Sequence, residues 1–169
     1  MNKPAGFTSF DVIAKMRGVL KIKRLGHAGT LDPMATGVLP VFVGKATKAC
    51  DILPDHDKTY EAGFKLGVTT DTQDSTGMVQ TERSASSVTE EMLLNLLFSF
   101  RGDIMQIPPM YSAVSVNGRR LYDLARQGIE VEREARPITV YELELLDYDS
   151  TENTGKLRIS CSKGTYNQQ

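Results

Sequence analysis

The sequence predicts an α+β sheet protein, and three observations lead to that class. Two long segments carry apolar residues at helical spacing, several shorter ones alternate apolar and polar residues, and the length of 169 residues suits a single domain. A hydrophobic share of 40% beside a charged share of 24% is typical of a globular chain with a core. We find neither a bilayer-spanning apolar run nor a secretory leader, so we expect a cytoplasmic protein with no membrane part.

The N-terminal part is predicted to form a helix, a polar loop and a strand. The helix covers Thr8 to Leu20, because Thr8 or Ser9 can cap it and apolar residues recur at intervals of three and four. A stretch rich in Gly and Thr then runs from Gly26 to Gly37. It leads into an apolar segment, Val38 to Val43, that we interpret as a buried strand. Loops in such positions often carry functional residues.

The rest of the chain is predicted to add strands and two further helices. Apolar residues occupy every second position from Thr59 to Leu66, which is typical of a half-buried strand. A helix begins after the capping residue Thr89, with Met92, Leu93, Leu96, Leu97 and Phe100 on its apolar side. The remaining predictions are a turn-rich loop at Asp71 to Gly77, a short helix at Leu121 to Gln127 that ends at Gly128, and a hairpin of strands at Ile138 to Leu146 and Lys156 to Cys161.

Charge is unevenly distributed along the chain, although the net charge is only −1. Residues 1–49 contain eight Lys/Arg and two Asp/Glu, whereas residues 50–100 contain three and nine. Two interpretations remain open from composition alone. The basic part forms a face that binds phosphates, or the two parts are ordinary solvated surfaces of opposite sign.

Candidate reactive residues are concentrated in one loop, Arg24 to Pro33. We expect neither a metal nor a nucleotide cofactor in this chain, since no Gly-rich phosphate motif follows a strand and the potential zinc ligands lack a zinc-binding spacing. Those ligands are His27, His56, Cys50 and Cys161. Asp32 precedes Pro33, so it is either a reactive carboxylate or the cap of a short helix. From spacing alone, a surface hydrogen bond is the more common function for a residue placed as His27 is, and a core position is the more common one for Tyr60.

The loop from Gly26 to Pro40 closely resembles the signature of the TruB-type tRNA pseudouridine synthases. Other segments resemble further motifs of that family, in the family's order and over almost the whole chain. They are Lys3 to Ser9, Asp57 to Tyr60, Thr70 to Gly77, Phe100 to Asp103, Pro109 to Ala113, Arg126 to Val131, Arg133 to Pro137 and Cys161 to Tyr166. Agreement in this many ordered motifs favours a reactive Asp32 over a helix cap.

The resemblance implies the pseudouridine synthase fold, a mixed and mainly antiparallel sheet flanked by helices with an inserted thumb segment. The activity it implies is isomerisation of a uridine in the T-arm loop of tRNA to pseudouridine, with Asp32 as the catalytic residue and no metal or cofactor. Such a uridine has to be flipped out of its stack. By resemblance, His27 helps to displace it, Tyr60 stacks on it and Tyr166 packs beneath the site.

The resemblance also implies how RNA is bound. A thumb at about residues 108–137 closes on the T-arm stem-loop of tRNA, and Lys3, Arg119 and Arg120 are the substrate-binding residues expected beside those of the pocket. We expect no membrane or metal partner, and a monomer when the protein is full length.

The C-terminal end departs from the family pattern. Relatives continue after the tyrosine with an aliphatic residue and an arginine that pairs with the catalytic aspartate, whereas Asn167 and Gln168 follow Tyr166 here. We expect residues 1–169 to be an incomplete catalytic domain without the family's C-terminal RNA-binding domain. The strand at Lys156 to Cys161 would then lack sheet neighbours, leaving Leu157 and Ile159 exposed, and activity would be weak.

Two alternatives to a stand-alone enzyme follow from these features. The first is a non-catalytic RNA-binding or tRNA-folding module, which the glutamine at position 168 favours. The second is a guide-dependent relative that acts in a ribonucleoprotein. The segment Arg133 to Pro137 is typical of bacterial stand-alone members and argues against the second.

Overall fold

The computed structural model describes residues 1–52, 57–112, 114–116 and 118–167. It contains two compact units, Met1–Asp55 and His56–Gln169, and each is described by itself. Helices accompany strands in both units, and every pairing between described strands is antiparallel. The predicted α+β class is therefore confirmed.

Helix α1, Ser9–Leu20, is the longest element of the first unit. The Thr8 hydroxyl accepts the Asp11 N–H at 3.0 Å, and the Asp11 carboxylate accepts the Thr8 N–H at 2.8 Å. These reciprocal bonds form a capping box, so Thr8 is the cap. Val12 and Ile13 turn towards the interior and are buried. The predicted helix is confirmed.

Four short strands and a 3-10 helix complete the first unit. The strands are β1 (Asn2–Lys3), β2 (Leu25–His27), β3 (Gly37–Val38) and β4 (Val41–Val43), and the 3-10 helix is Gly44–Asp51. β1 pairs with β3, and β2 pairs with β4. The polar loop is therefore bounded on both sides by strands of two or three residues.

The single buried strand predicted from Val38 to Val43 is wrong. Leu39 and Pro40 separate β3 from β4, because proline has no N–H to donate to a strand ladder. The Leu39 N–H donates instead to the Met1 carbonyl at 2.7 Å. Val38 is 82% exposed, so this end of the segment is not buried either.

A four-stranded sheet forms the centre of the second unit. Its strands in spatial order are β5 (Lys58–Lys65), β12 (Thr154–Cys161), β11 (Arg136–Asp149) and β8 (Gly102–Gln106). The buried core lies on one face of the two middle strands and consists of Ile138, Val140, Leu143, Ile159 and Cys161. Both predicted strands of the C-terminal hairpin are confirmed and are longer than predicted.

The position of β12 corrects a second expectation. It lies between β5 and β11 and pairs with both, so it does not lack neighbours. Ile159 is buried and Leu157 packs against the same core. On the other face, Arg158 forms ion pairs with Glu61 of β5 at 2.9 Å and Glu144 of β11 at 3.1 Å. The expectation failed because strand order depends on pairing between distant segments, which local alternation does not encode.

Helix α2, Glu90–Ser99, lies against β11 in the second unit. Thr89 caps it as predicted, accepting the Met92 N–H at 3.2 Å. Of the predicted apolar side, Leu93 is buried and Leu97 packs against the core. The other members, Met92, Leu96 and Phe100, are about half exposed.

Two smaller substructures belong to the second unit. β6 (Val68–Thr70) and β7 (Val79–Glu82) form a hairpin around the predicted turn-rich loop. The segment between β8 and β11 contains β9 (Ser115–Val116), β10 (Arg119–Arg120) and α3 (Leu121–Ala125). α3 is shorter than predicted, but Gly128 has the expected positive φ of 70°. The Ile129 N–H donates to the Leu124 carbonyl at 3.0 Å and closes the turn.

Candidate active site

Asp32 lies in the loop between β2 and β3 and is exposed. Its carbonyl accepts the Ala35 N–H at 3.0 Å, which closes a single turn with Pro33 at the second position. No helix follows Pro33 in this described loop, so Asp32 does not cap one. An exposed carboxylate at a rigid turn is accessible to a polar substrate.

The backbone just before Asp32 is held by Ser9, the first residue of α1. The Ser9 hydroxyl accepts the Leu31 N–H at 3.0 Å and donates to the Leu31 carbonyl at 3.3 Å. Ser9 is 3% exposed, so water competes little for these bonds. The sequence interpretation considered Ser9 only as a helix cap and missed this contact. No local pattern distinguishes a serine that reaches 22 residues along the chain.

The backbone just after Asp32 is held by Lys3, whose side chain is completely buried. Its ammonium donates to the carbonyls of Pro4, Phe7 and Pro33 at 3.0, 2.7 and 3.1 Å. The Pro33 carbonyl also accepts the Gly6 N–H at 2.8 Å. An ammonium has three N–H groups, so this set accounts for all of them. Lys3 was predicted to bind substrate, whereas the structure places it as a buried support of the loop, with its ammonium bonded to these three carbonyls.

His27 belongs to the same loop as the last residue of β2 and is half-buried. Its Nδ1 lies 2.6 Å from the Gly29 carbonyl. Because a carbonyl only accepts, Nδ1 carries the proton, and Nε2 is the ring nitrogen that a ligand would meet. Gly29 has a φ of 77°, a conformation that suits glycine. His27 and Asp32 are therefore held by one short stretch of backbone.

Tyr60 and Tyr166 lie at one end of the sheet of the second unit. The register brings the starts of β5 and β11 together with the ends of β8 and β12. Tyr60 is the third residue of β5, is half-buried and packs against the core, as the core interpretation predicted. Tyr166 follows the end of β12 and is also half-buried. The Gln106 side chain, at the end of β8, bonds the Tyr166 backbone.

Arg119 and Arg120 form β10 and are both exposed. The Arg119 guanidinium donates to the Gln127 side-chain carbonyl at 2.8 Å, and the Arg126 guanidinium lies 5.4 Å from the Tyr122 ring centroid. These cations belong to the segment that runs from the end of β8 to the start of β11. It leaves the sheet at the end where Tyr60 and Tyr166 lie. The segment presents positive charge on strand β10 and beside α3.

Other candidates of the sequence interpretation have different outcomes. Cys161 is completely buried, and burial raises the pKa of its thiol, so it belongs to the core. His56 and Gln168 lie outside the described residues. Within the described part of the chain, no group of three His, Cys, Asp or Glu side chains could hold a metal. No helix among those residues is long and apolar enough to cross a membrane.

Comparison with characterised proteins gives consistent matches in sequence. The profile of the TruB family pseudouridylate synthase (N terminal domain) matches residues 17–167. The tRNA pseudouridine synthase B of Clostridium perfringens strain 13 is 54% identical over 164 residues, which are 97% of this chain and 55% of that protein. The enzyme of the same name from Dehalococcoides mccartyi strain BAV1 is 54% identical over 98% of this chain and 55% of its own. The chain thus spans about half the length of these relatives.

Solved structures agree with the sequence matches. A crystal structure of a Cbf5-Nop10-Gar1 complex matches with a TM-score of 0.69 and 29% identity, over 98% of this chain and 39% of that one. A structure of an H/ACA RNP bound to a substrate RNA containing 2'-deoxyuridine matches with a TM-score of 0.66 and 25% identity, over 98% and 37%. The pseudouridine synthase fold is therefore confirmed. With the family profile matching almost all of its length, the chain belongs to the TruB family of pseudouridylate synthases.

Proposed function

We propose that this chain is the catalytic part of an enzyme that converts a uridine in the T-arm loop of tRNA to pseudouridine, with Asp32 as the catalytic residue. The observation that carries the proposal is the Asp32 turn, an exposed carboxylate held by Ser9 on one side and Lys3 on the other. Curated relatives with 54% identity carry the name tRNA pseudouridine synthase B.

The proposed reaction suits a single carboxylate. The N1–C1′ bond breaks, the base turns, and C5 bonds to C1′, while C5 loses a proton to solvent and N1 gains one. Substrate and product are isomers, so the proposal assigns no cofactor or metal. A carboxylate can act as the nucleophile or as the base in this sequence. Asp32 is exposed, and its turn is held by Ser9 and Lys3, so the loop presents this carboxylate for either function.

In this proposal, His27, Tyr60 and Tyr166 each contact the target uridine. A uridine in a folded loop must leave its stack, and the energy for this is recovered when the base stacks on protein. His27 assists the displacement, Tyr60 stacks on the base, and Tyr166 packs beneath it. The half-buried state of both tyrosines supports this, because part of each residue stays accessible to a ligand.

Residues 108–137 act as the RNA-binding thumb, with Arg119 and Arg120 directed at phosphates. Both residues are exposed, and the segment leaves the sheet at the end where Tyr60 and Tyr166 lie. The proposed partner is the T-arm stem-loop of tRNA, bound by a monomeric cytoplasmic protein. Relatives at 54% identity are bacterial enzymes without a guide in their names, whereas the Cbf5 complexes are 25–29% identical, so the stand-alone enzyme is favoured.

The decisive experiment replaces Asp32 by Asn and measures tritium release from RNA labelled at C5 of uridine. We expect the rate to fall at least about 1,000-fold, or roughly 4 kcal/mol, while RNA affinity changes by no more than about 1–2 kcal/mol. Asp147→Asn is the matched control, because Asp147 is an exposed aspartate on β11. Appreciable turnover by Asp32→Asn would overturn the proposed chemistry. RNA binding without turnover by the full-length protein that contains this chain would instead identify a non-catalytic RNA-binding module.

A second experiment tests the thumb. Binding of a T-arm hairpin should weaken steeply with salt, because Lys and Arg displace counterions from phosphates. Replacing Arg119 and Arg120 by Gln should lower the slope of log K against log salt by roughly one or two units. Replacing Lys65 and Lys156 by Gln provides the comparison, because both are exposed and lie at the opposite end of the sheet from the thumb. An affinity that is flat between low and physiological salt would contradict the proposed RNA contact.

A further inference from the structure

Gln106 makes an unusual pair of contacts at the tyrosine end of the sheet. It is the last residue of β8 and is half-buried. Its Nε2 donates to the Tyr166 carbonyl at 2.8 Å, and its Oε1 accepts the Tyr166 N–H at 2.9 Å. A single side-chain amide thus binds both backbone groups of one residue that lies 60 positions away.

The Gln106 bonds take the place of strand pairing for the backbone that follows β12. Beyond Cys161, the chain no longer pairs as a strand with β11, so the backbone of the following segment needs other partners. Ser162 keeps two bonds to Thr139, at 2.9 and 3.0 Å, and the Thr165 hydroxyl donates to the Ser162 carbonyl at 2.9 Å. Those contacts fix the start of the segment. The Gln106 amide fixes the residue that carries the candidate aromatic ring.

We propose that Gln106 is a positioning residue for the isomerisation, one that holds the backbone of Tyr166 so that its ring lies in place beneath the target nucleotide. The proposal rests on the proposed function, since it assigns Tyr166 to the pocket. Two bonds from one planar side-chain amide fix the orientation of the Tyr166 peptide groups as well as their distance, which a single bond does not do. Gln106 itself contacts no reacting atom.

A glutamate at position 106 gives the proposal a pH signature. A neutral carboxyl group has one donor and one acceptor in a plane, as the amide has, whereas a carboxylate only accepts. An ionised Gln106→Glu variant can bind the Tyr166 N–H but faces the Tyr166 carbonyl with negative charge. Protonation of that carboxyl restores both bonds. The defect of Gln106→Glu should therefore disappear as the pH falls.

The rate test compares variants with the unsubstituted chain at each pH, under single-turnover conditions. At pH 8, we expect Gln106→Glu and Gln106→Met to react about tenfold more slowly than the unsubstituted chain. Their dissociation constants for RNA should stay within about twofold of its value. At pH 5, Gln106→Glu should recover to within about threefold, while Gln106→Met should stay slow. Gln80→Glu is the control, because Gln80 is an exposed amide on β7 and the same chemical change there should have no effect.

A measurement that needs no activity tests the contact itself. The chain has six tyrosines, so labelling with 15N-tyrosine gives at most six backbone amide signals, and Tyr166→Phe identifies the one required. Hydrogen exchange at the Tyr166 amide should be at least about tenfold faster in Gln106→Met than in the parent. Unchanged exchange, or a deficit of Gln106→Glu that does not depend on pH, would overturn the proposal. If the full-length protein that contains this chain makes no pseudouridine, the proposed function fails separately, and the exchange rate still decides whether Gln106 holds Tyr166.

Discussion

In the first unit, Met1–Asp55, no described strand is longer than three residues, whereas the second unit, His56–Gln169, has strands of eight and fourteen residues. The second unit is held by backbone ladders and an apolar core beneath them. The Asp32 loop of the first unit depends instead on a few side chains, above all Lys3 and Ser9. A strand ladder contains many equivalent backbone hydrogen bonds, so losing one of them changes little. Lys3 and Ser9 are single side chains, and no equivalent contact replaces either of them in the loop.

This difference explains how a short loop can be rigid. A loop of this size has no regular partner strand along its whole length, so its backbone groups must be satisfied by side chains or by water. A buried ammonium with three carbonyl partners provides a strong and directional anchor. The loop is therefore sensitive to a single substitution, since the loss of one anchoring side chain leaves several backbone groups without hydrogen-bond partners.

The largest expected effect on stability comes from replacing Lys3 by Met, which keeps an unbranched apolar side chain of similar length and removes the ammonium. The carbonyls of Pro4, Phe7 and Pro33 would lose their shared buried donor. We therefore expect the free energy of unfolding to fall by about 3 kcal/mol or more. Urea denaturation measures this change, and hydrogen exchange of the amides of α1 reports the unfolding of the first unit. Lys15→Met is the matched control, because Lys15 is exposed on the same unit. Equal stability of the two variants would contradict the assigned anchor.

The sheet core should tolerate a comparable local change better. Ile159→Val removes one buried methylene group from β12, and we expect a loss of about 1 kcal/mol. The cost is smaller because the ladder on both sides of β12 remains intact and neighbouring side chains relax partly into the space. Ile129→Val, at a residue 41% exposed, provides the control. If Ile159→Val cost more than Lys3→Met in the same denaturation experiment, the proposed contrast between the two units would be wrong.

The same contrast explains what the sequence could predict. β5 follows from alternation because Tyr60, Ala62 and Phe64 share the face that packs inward, and this signal is local. The capping box at Thr8 is local too. The anchors of Asp32 are not local, since Ser9 and Lys3 meet residues 22 and 30 positions away.

Some of the candidate site was therefore predictable and some was not. Motif resemblance could propose Asp32, His27, Tyr60 and Tyr166 as candidates, because it compares residues in order and needs no knowledge of contacts. It could not show that Lys3 is buried, since a lysine in a basic segment is ordinarily exposed. The Gln106 contact was missed for the same reason as the place of β12. Both depend on which distant segments meet at one end of the sheet.

The smallest expected effect concerns a loop of the second unit that is built like the loop of the first. Between β6 and β7, the Asp74 carboxylate accepts the Thr72 hydroxyl at 2.7 Å and the Thr76 N–H and hydroxyl at 2.8 and 2.6 Å. Burial acts to raise the pKa of Asp74, but the hydrogen bonds from Thr76 and Thr72 outweigh it, and the pKa lies below the ordinary value of 3.8.

The sign of the pH dependence follows from that shift. Because folding lowers the pKa of Asp74, its stabilising contribution is complete above pH 3.8 and is lost as the pH falls through the lower folded value. Asp74 is exposed, so solvent screening keeps this contribution below about 1 kcal/mol. An NMR titration of the Asp74 carboxyl carbon measures the folded pKa directly. In Thr76→Ala, which removes the hydroxyl donor, the pKa should rise towards 3.8, whereas Ser75→Ala, an exposed neighbour without a hydroxyl bond to Asp74, should leave it unchanged. An unchanged pKa in Thr76→Ala would show that side-chain hydrogen bonds do not organise this loop. Of the two loops compared, only the Asp32 loop of the first unit would then be held by single side chains.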